Sequence, residues 1–169
     1  ERFSQSLGSL IVNVKNKFGD HENDKAGKII LFTSPTPKNG KSFVTRNFAK
    51  KLAKIDKKVL LFDSDFKRGD QNEHFDFSKI TIKDFNNISD ENIEAFKADD
   101  NFYFIPKISR LGSSFQFVYS AEFNQKLDYF RRYFDYIVID TSPILSVSDT
   151  SMLLTLADMN IYLARHELT

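Results

Sequence analysis

A chain of 169 residues fits one domain and can bury a substantial core. Its 24 Lys and Arg against 23 Asp and Glu leave a formal charge of +1, too little to gather nucleic acid, so no nucleic-acid partner is expected. The lack of cysteine excludes disulfides and thiolate metal sites, and no apolar run nears the roughly 20 residues that cross a bilayer.

In chain order, Phe3, Leu7, Leu10, Ile11, Val14 and Phe18 recur at helical spacing, so residues 1–18 read as an amphipathic helix and a candidate for oligomer contact. Residues 19–27, GDHENDKAG, read as a polar linker, and residues 28–169 as the main domain. An apolar strand starts at Lys28, breaks at Pro35 and Pro37, and ends in Gly40-Lys41-Ser42, where a helical stripe of Val44, Phe48, Leu52 and Ile55 begins. Residues 58–62 return as a buried strand, making a βαβ unit and hence a parallel sheet.

Residues 67–100 are polar, with short helices expected at 80–85 and 93–96. A strand follows at 101–105. A helix from Ser120 carries Phe123, Leu127, Phe130 and Phe134 inward, a buried strand follows at 136–139, then a helix at about 149–156 and a last strand at 159–164. The alternation predicts an α/β fold, a doubly wound, mostly parallel sheet flanked by helices. The 18 phenylalanines fall largely at core positions.

The stretch KIILFTSPTPKNGKS has the layout of a phosphate-binding loop, although Pro35 stands where the pattern's first glycine belongs. Backbone N–H groups across Pro37, Lys38, Asn39, Gly40, Lys41, Ser42 and Phe43 would cradle phosphates, proline contributing no N–H, with Lys41 supplying charge and Ser42 a hydroxyl for Mg²⁺. Two apolar strands end in acids at the side of a parallel sheet where ligands sit: Asp63 and Asp65 in LLFDSD, and Asp140 in IVIDTSP, a Walker B pattern able to hold Mg²⁺. Asp63 and Asp65 could also take a proton from an attacking hydroxyl or water. His21, His74 and His166 show no ligand spacing. The lysines at 50, 51, 54, 57 and 58 read as a solvated helix face.

Together SPTPKNGKSFV, LLFDSDFKRGD and YIVIDTSPILSVSDT resemble the Walker A, A′ and B motifs of the bacterial tyrosine autokinases, the BY-kinases associated with polysaccharide co-polymerases. The resemblance implies the P-loop NTPase architecture shared by MinD and ParA proteins, and a transferase that uses ATP and Mg²⁺ to phosphorylate protein tyrosine, often on a neighbouring copy, coupled to capsule, exopolysaccharide or lipopolysaccharide assembly. It implies Lys41 on the phosphates, Ser42 and Asp140 on the metal, and Asp63 on the metal shell or the incoming tyrosine hydroxyl, assisted by Asp65. It also implies a homo-oligomer and a membrane domain of the same or a partner protein, placing the domain at the cytoplasmic face of the inner membrane. The chain itself reads as soluble and, beginning at Glu1 and ending just after an apolar run at Thr169, as cut from something longer.

Three departures from that pattern matter. Lys67, followed by Arg68, stands at the family's Walker A′ arginine, and lysine cannot reproduce a bidentate fork. The N-terminal E-x-x-R-x-x-R of the family is Glu1, Ser4 and Leu7 in this chain, and Lys38-Asn39 replaces a common Gly-Glu. The family's tyrosine-rich tail is absent, either because the chain ends before it or because the protein lacks it. Tyr129, Tyr133 and Tyr136 read as core or rim residues. The alternatives are an ATPase switch or a non-catalytic nucleotide-binding scaffold in the same assembly, and a MinD/ParA-type positioning ATPase. The last carries a lysine five residues before the Walker A lysine, and Thr36 stands there in this chain.

Overall fold

A computed structural model describes residues 2–19, 26–65, 80–108, 113–144 and 148–164, with backbone only at 148 and 149. Lys67 and Arg68, the three histidines and most of the linker lie outside the described residues. The elements run α1 (Arg2–Phe18), β1 (Lys28–Thr33), α2 (Lys41–Ala53), β2 (Val59–Ser64), α3 (Ile82–Asn86), a 3-10 turn (Ile93–Phe96), β3 (Lys97–Asp99), β4 (Phe102–Ile105), α4 (Ser114–Tyr119), α5 (Ala121–Tyr133), β5 (Tyr136–Thr141), α6 (Ser148–Leu156) and β6 (Met159–Tyr162).

These strands form one six-stranded sheet in the order β3-β4-β2-β5-β1-β6. All pairs are parallel except β3–β4, where three residues of a polar segment close the edge antiparallel. The sequence pattern predicts neither that edge strand nor α4, because neither is long enough to show a period. The βαβ unit β1-α2-β2 is present, but its strands do not touch: β5 lies between them and pairs with both.

β1, β2 and β5 are buried on both faces, which explains their unbroken apolar runs. On one face Ile30, Phe32, Leu61 and Val138 pack under α1 and α2, through Leu7, Ile11, Val14, Phe48 and Leu52. On the other, Leu31, Phe62 and Ile139 pack against Phe85, Phe117, Phe123 and Phe130 from α3, α4 and α5. The phenylalanines are thus mostly core, each fully buried ring worth about 2–3 kcal/mol of transfer free energy. One expectation fails at its end: α2 stops at Ala53, and Ile55 lies beyond it, 43% exposed, outside the apolar stripe. β6, the other edge, alternates half-buried and exposed residues.

At the end of the sheet where the strands begin, Gly27 passes so close to α5 that an added Cβ would stand 2.0 Å from the Phe134 carbonyl oxygen. Its amide donates to the Arg131 carbonyl at 2.7 Å. Arg131 grips Asp158 with two N–H groups, at 2.6 and 3.3 Å, while Asp158 also accepts from the Ile29 amide. This knot fixes the start of β1 and so the aim of its other end.

Candidate nucleotide site

Three strand ends and one helix start build the site. β1 ends in buried Thr33 and Ser34, the chain turns through Pro35 to Asn39, and Gly40 caps α2 with φ 74°. Only glycine adopts that conformation without strain, and an added Cβ would meet no atom within 4 Å, so the space before the helix is open. The cap supplies no side-chain hydrogen bond to the first turn of α2, whose N–H groups face that space with the positive end of the helix dipole. Lys38 also has positive φ, 65°, and the Asn39 side chain closes the turn on Thr36 O and Oγ1.

The predicted residues divide into those the fold brings together and those it leaves at the rim. Lys41 is buried and its ammonium pairs with Asp140 Oδ1. Asp140 stands directly across from Asp63 in the β2–β5 register and from Phe32 in β1. Both carboxylates are fully buried on the face covered by α2. Asp63 Oδ1 accepts the Asp65 amide at 3.0 Å, and its Oδ2 is buried without a hydrogen-bond partner. Burial, and then the neighbouring Asp140, push the Asp63 carboxyl well above its ordinary range.

Ser42 is half-buried at the start of α2. Pro37 and Lys38 are exposed, as is Phe43, whose ring leans on Phe3 of α1 with centroids 5.3 Å apart. Phe43 can therefore serve a ligand through its backbone, its ring being engaged with α1. The tyrosines expected at core or rim lie at the far end of the molecule. Tyr136 is buried, Tyr133 donates to Glu94 at 3.0 Å, and Tyr129 donates to Asp90 at 3.0 Å.

Two further residues join the site. Ser142, just past β5, donates to Asp65 Oδ1 at 2.6 Å. Arg46 on α2 feels the charge of Asp140, although burial is the larger influence and lowers its pKa. Ser142 lies within IVIDTSP, but nothing local marks its bond to Asp65 or the nearness of Arg46 to Asp140, since the partner lies far away in sequence.

One ammonium thus pairs with Asp140, with two further buried carboxyl groups at the end of the neighbouring strand, one of them with an orphaned oxygen, beside an open helix N-terminus. The donor set fits a divalent cation: hard oxygens, excess negative charge, and an unsatisfied acceptor where a ligand atom would bind. The neighbouring amides fit phosphate. Among the described residues no helix is long and apolar enough to cross a membrane.

Comparison with known proteins bears on the family and the fold. The AAA domain family matches residues 27–167. The tyrosine-protein kinase ptk of Acinetobacter johnsonii is 29% identical over 145 residues, covering 83% of this chain and 20% of that protein. This chain therefore spans about a fifth of the length of the curated relatives it matches first, which are tyrosine-protein kinases. The kinase domain of the Escherichia coli tyrosine kinase ETK superposes with a TM-score of 0.82 at 22% identity, over 98% of this chain and 64% of that one. A ParA family ATPase from Chlorobium tepidum superposes with a TM-score of 0.65 at 17% identity, over 81% of this chain and 60% of that one, so both share the fold.

Proposed function

Starting from a chain that belongs to the AAA domain family, we propose that it is the ATP-dependent protein-tyrosine kinase domain of a longer protein that governs surface-polysaccharide assembly. The observation that carries the reading is the meeting of Lys41, Asp140 and Asp63 at adjacent strand ends below the open start of α2. The tyrosine-protein kinases among its relatives and the three motifs in order support the choice of reaction.

In this reading the α2 amides and Lys41 bind the β- and γ-phosphates of ATP, Lys41 leaving Asp140 to do so. Ser42, Asp140 and the unsatisfied oxygen of Asp63 would hold Mg²⁺, which when bound neutralises charge on the transferring phosphoryl group. In its ionised form Asp63 would accept the proton of the incoming tyrosine hydroxyl as general base. Asp65 lines the acceptor side. Most of the rate enhancement comes from positioning and charge neutralisation. The acceptor tyrosine lies on a protein, including a second copy of this chain, and the longer protein sits at the cytoplasmic face of the inner membrane with its membrane domain or a membrane partner.

The ParA-like fold favours a second reading, an ATPase switch without phosphotransfer to protein. Turnover of Mg-ATP by the full-length protein and its Lys41→Met variant, with phosphotyrosine immunoblotting, separates the two. Lysine-dependent phosphotyrosine is expected. Lysine-dependent hydrolysis without it selects the switch, and nucleotide binding without turnover selects a scaffold.

A further inference from the structure

Buried hydrogen bonds converge on Ser142 from three parts of the fold. Its carbonyl oxygen accepts from Thr150 of α6 at 3.1 Å and, more weakly, from Thr33 at the end of β1 at 3.4 Å, while the Thr141 hydroxyl of β5, 3.0 Å away, has a nearer acceptor in the Phe32 carbonyl at 2.9 Å. Its hydroxyl donates to Asp65 Oδ1 at 2.6 Å, with Ser142 5% exposed and Asp65 8%. The backbone of Ser142 is therefore clamped to the strand that enters the phosphate loop, and its side chain points to the residue that ends the neighbouring acidic strand. Asp65 is tied a second time through its amide to Asp63.

We infer that Ser142 is a positioning residue for phosphoryl transfer: it holds the Asp65 carboxylate in register with the phosphate loop. This rests on the kinase reading above for the reaction it serves. The physical need is local. The terminal torsion of an aspartate turns cheaply and a carboxylate gains by turning toward water, so Asp65 keeps one orientation only where buried partners hold it. A neutral hydroxyl on a clamped backbone does so without adding a cation to compete for the metal. Displacing a group at a reacting centre by about 1 Å can cost on the order of 100-fold in rate.

The test uses the full-length protein with Ser142→Ala, Ser142→Thr, Asp65→Ala and the Ala/Ala double variant, assayed below the lowest melting temperature of the set. Ser142→Ala is expected to lower kcat about tenfold with KM for ATP unchanged within about twofold, and Ser142→Thr to restore most of it. On the Asp65→Ala background, Ser142→Ala should cost nothing further. Urea unfolding of the nucleotide-free proteins gives a readout independent of catalysis, in which the two substitutions should couple by about tenfold in the unfolding equilibrium constant. Additive effects in both cycles, or a loss confined to KM, overturn the role. ATP hydrolysis without phosphotyrosine would sink the tyrosine-kinase reading while leaving the kcat cycle to decide Ser142. If no turnover occurs, the kinase reading fails and additivity or coupling in the unfolding cycle decides the contact.

Discussion

Asp63 of β2 and Asp140 of β5 face one another across adjacent parallel strands, both fully buried, and Lys41 of α2 pairs directly with the second. Like charges so placed are costly, and the fold tolerates them because the first is pushed toward its protonated form. The resting site therefore holds one ion pair beside a second carboxyl that burial keeps out of its ordinary range.

That arrangement predicts a trade between stability and activity at Asp63. Asp63→Asn removes a buried carboxylate with an unsatisfied oxygen while keeping its shape. The metal-free protein should gain stability on the order of 1–2 kcal/mol at pH 8, read by urea unfolding, while transfer to tyrosine is lost. A less stable variant would mean that Asp63 is well accommodated without a metal.

Lys41 carries the opposite expectation. Lys41→Met removes the ammonium paired with buried Asp140 and should destabilise the apo protein by about 3 kcal/mol, as breaking a buried pair from one side does. ATP turnover should fall at least roughly 100-fold at temperatures where the variant is folded. Normal turnover by a folded Lys41→Met protein would remove this lysine from the phosphate site.

Gly27→Ala tests the far end of the sheet. The new methyl would lie on the Phe134 carbonyl, which is backbone and cannot turn aside, so the cost should be about 3 kcal/mol in chemical unfolding. The KM for ATP of the folded fraction should remain that of the parent, since Asp63 and Asp140 lie at the opposite end of the strands.

Glu94 predicts a pH dependence remote from the site. Its carboxylate accepts from Tyr103 at 2.6 Å and Tyr133 at 3.0 Å, and these hydrogen bonds, Tyr103 first, hold its pKa below the usual value of 4.5. A depressed folded pKa means stability that is present above the unfolded value and lost as pH falls through the folded one. Glu94→Gln should therefore flatten the loss of stability below about pH 4.5, measured as Tm against pH, with little change in that slope above it.

Much of this architecture is legible in the chain itself. Runs such as KIILF, VLLF and YIVI are apolar without alternation because their strands are covered on both faces, and that is visible locally. The helix α5 announces itself through Phe123, Leu127 and Phe130, which repeat at helical spacing. Lys41, Asp63 and Asp140 can be named as a group because motif spacing marks them. Ile55 misleads because an apolar residue just past a helix end looks like its continuation, and β3 escapes because three polar residues carry no period.

Local pattern therefore specifies which segments are buried strands, where the phosphate loop lies and which acids end beside it, since each depends on neighbours within a few residues. Folding of the whole chain is what places β5 between β1 and β2, closes Lys41 on Asp140, leaves Asp63 with an orphaned oxygen and brings Ser142 to Asp65. The difference is separation along the chain. The hydrogen bonds that join Ser142 to Asp65, Lys41 to Asp140 and Thr33 to Ser142 span 77 to 109 positions, and their partners are chosen by how the covered sheet packs as a whole, which no local period records.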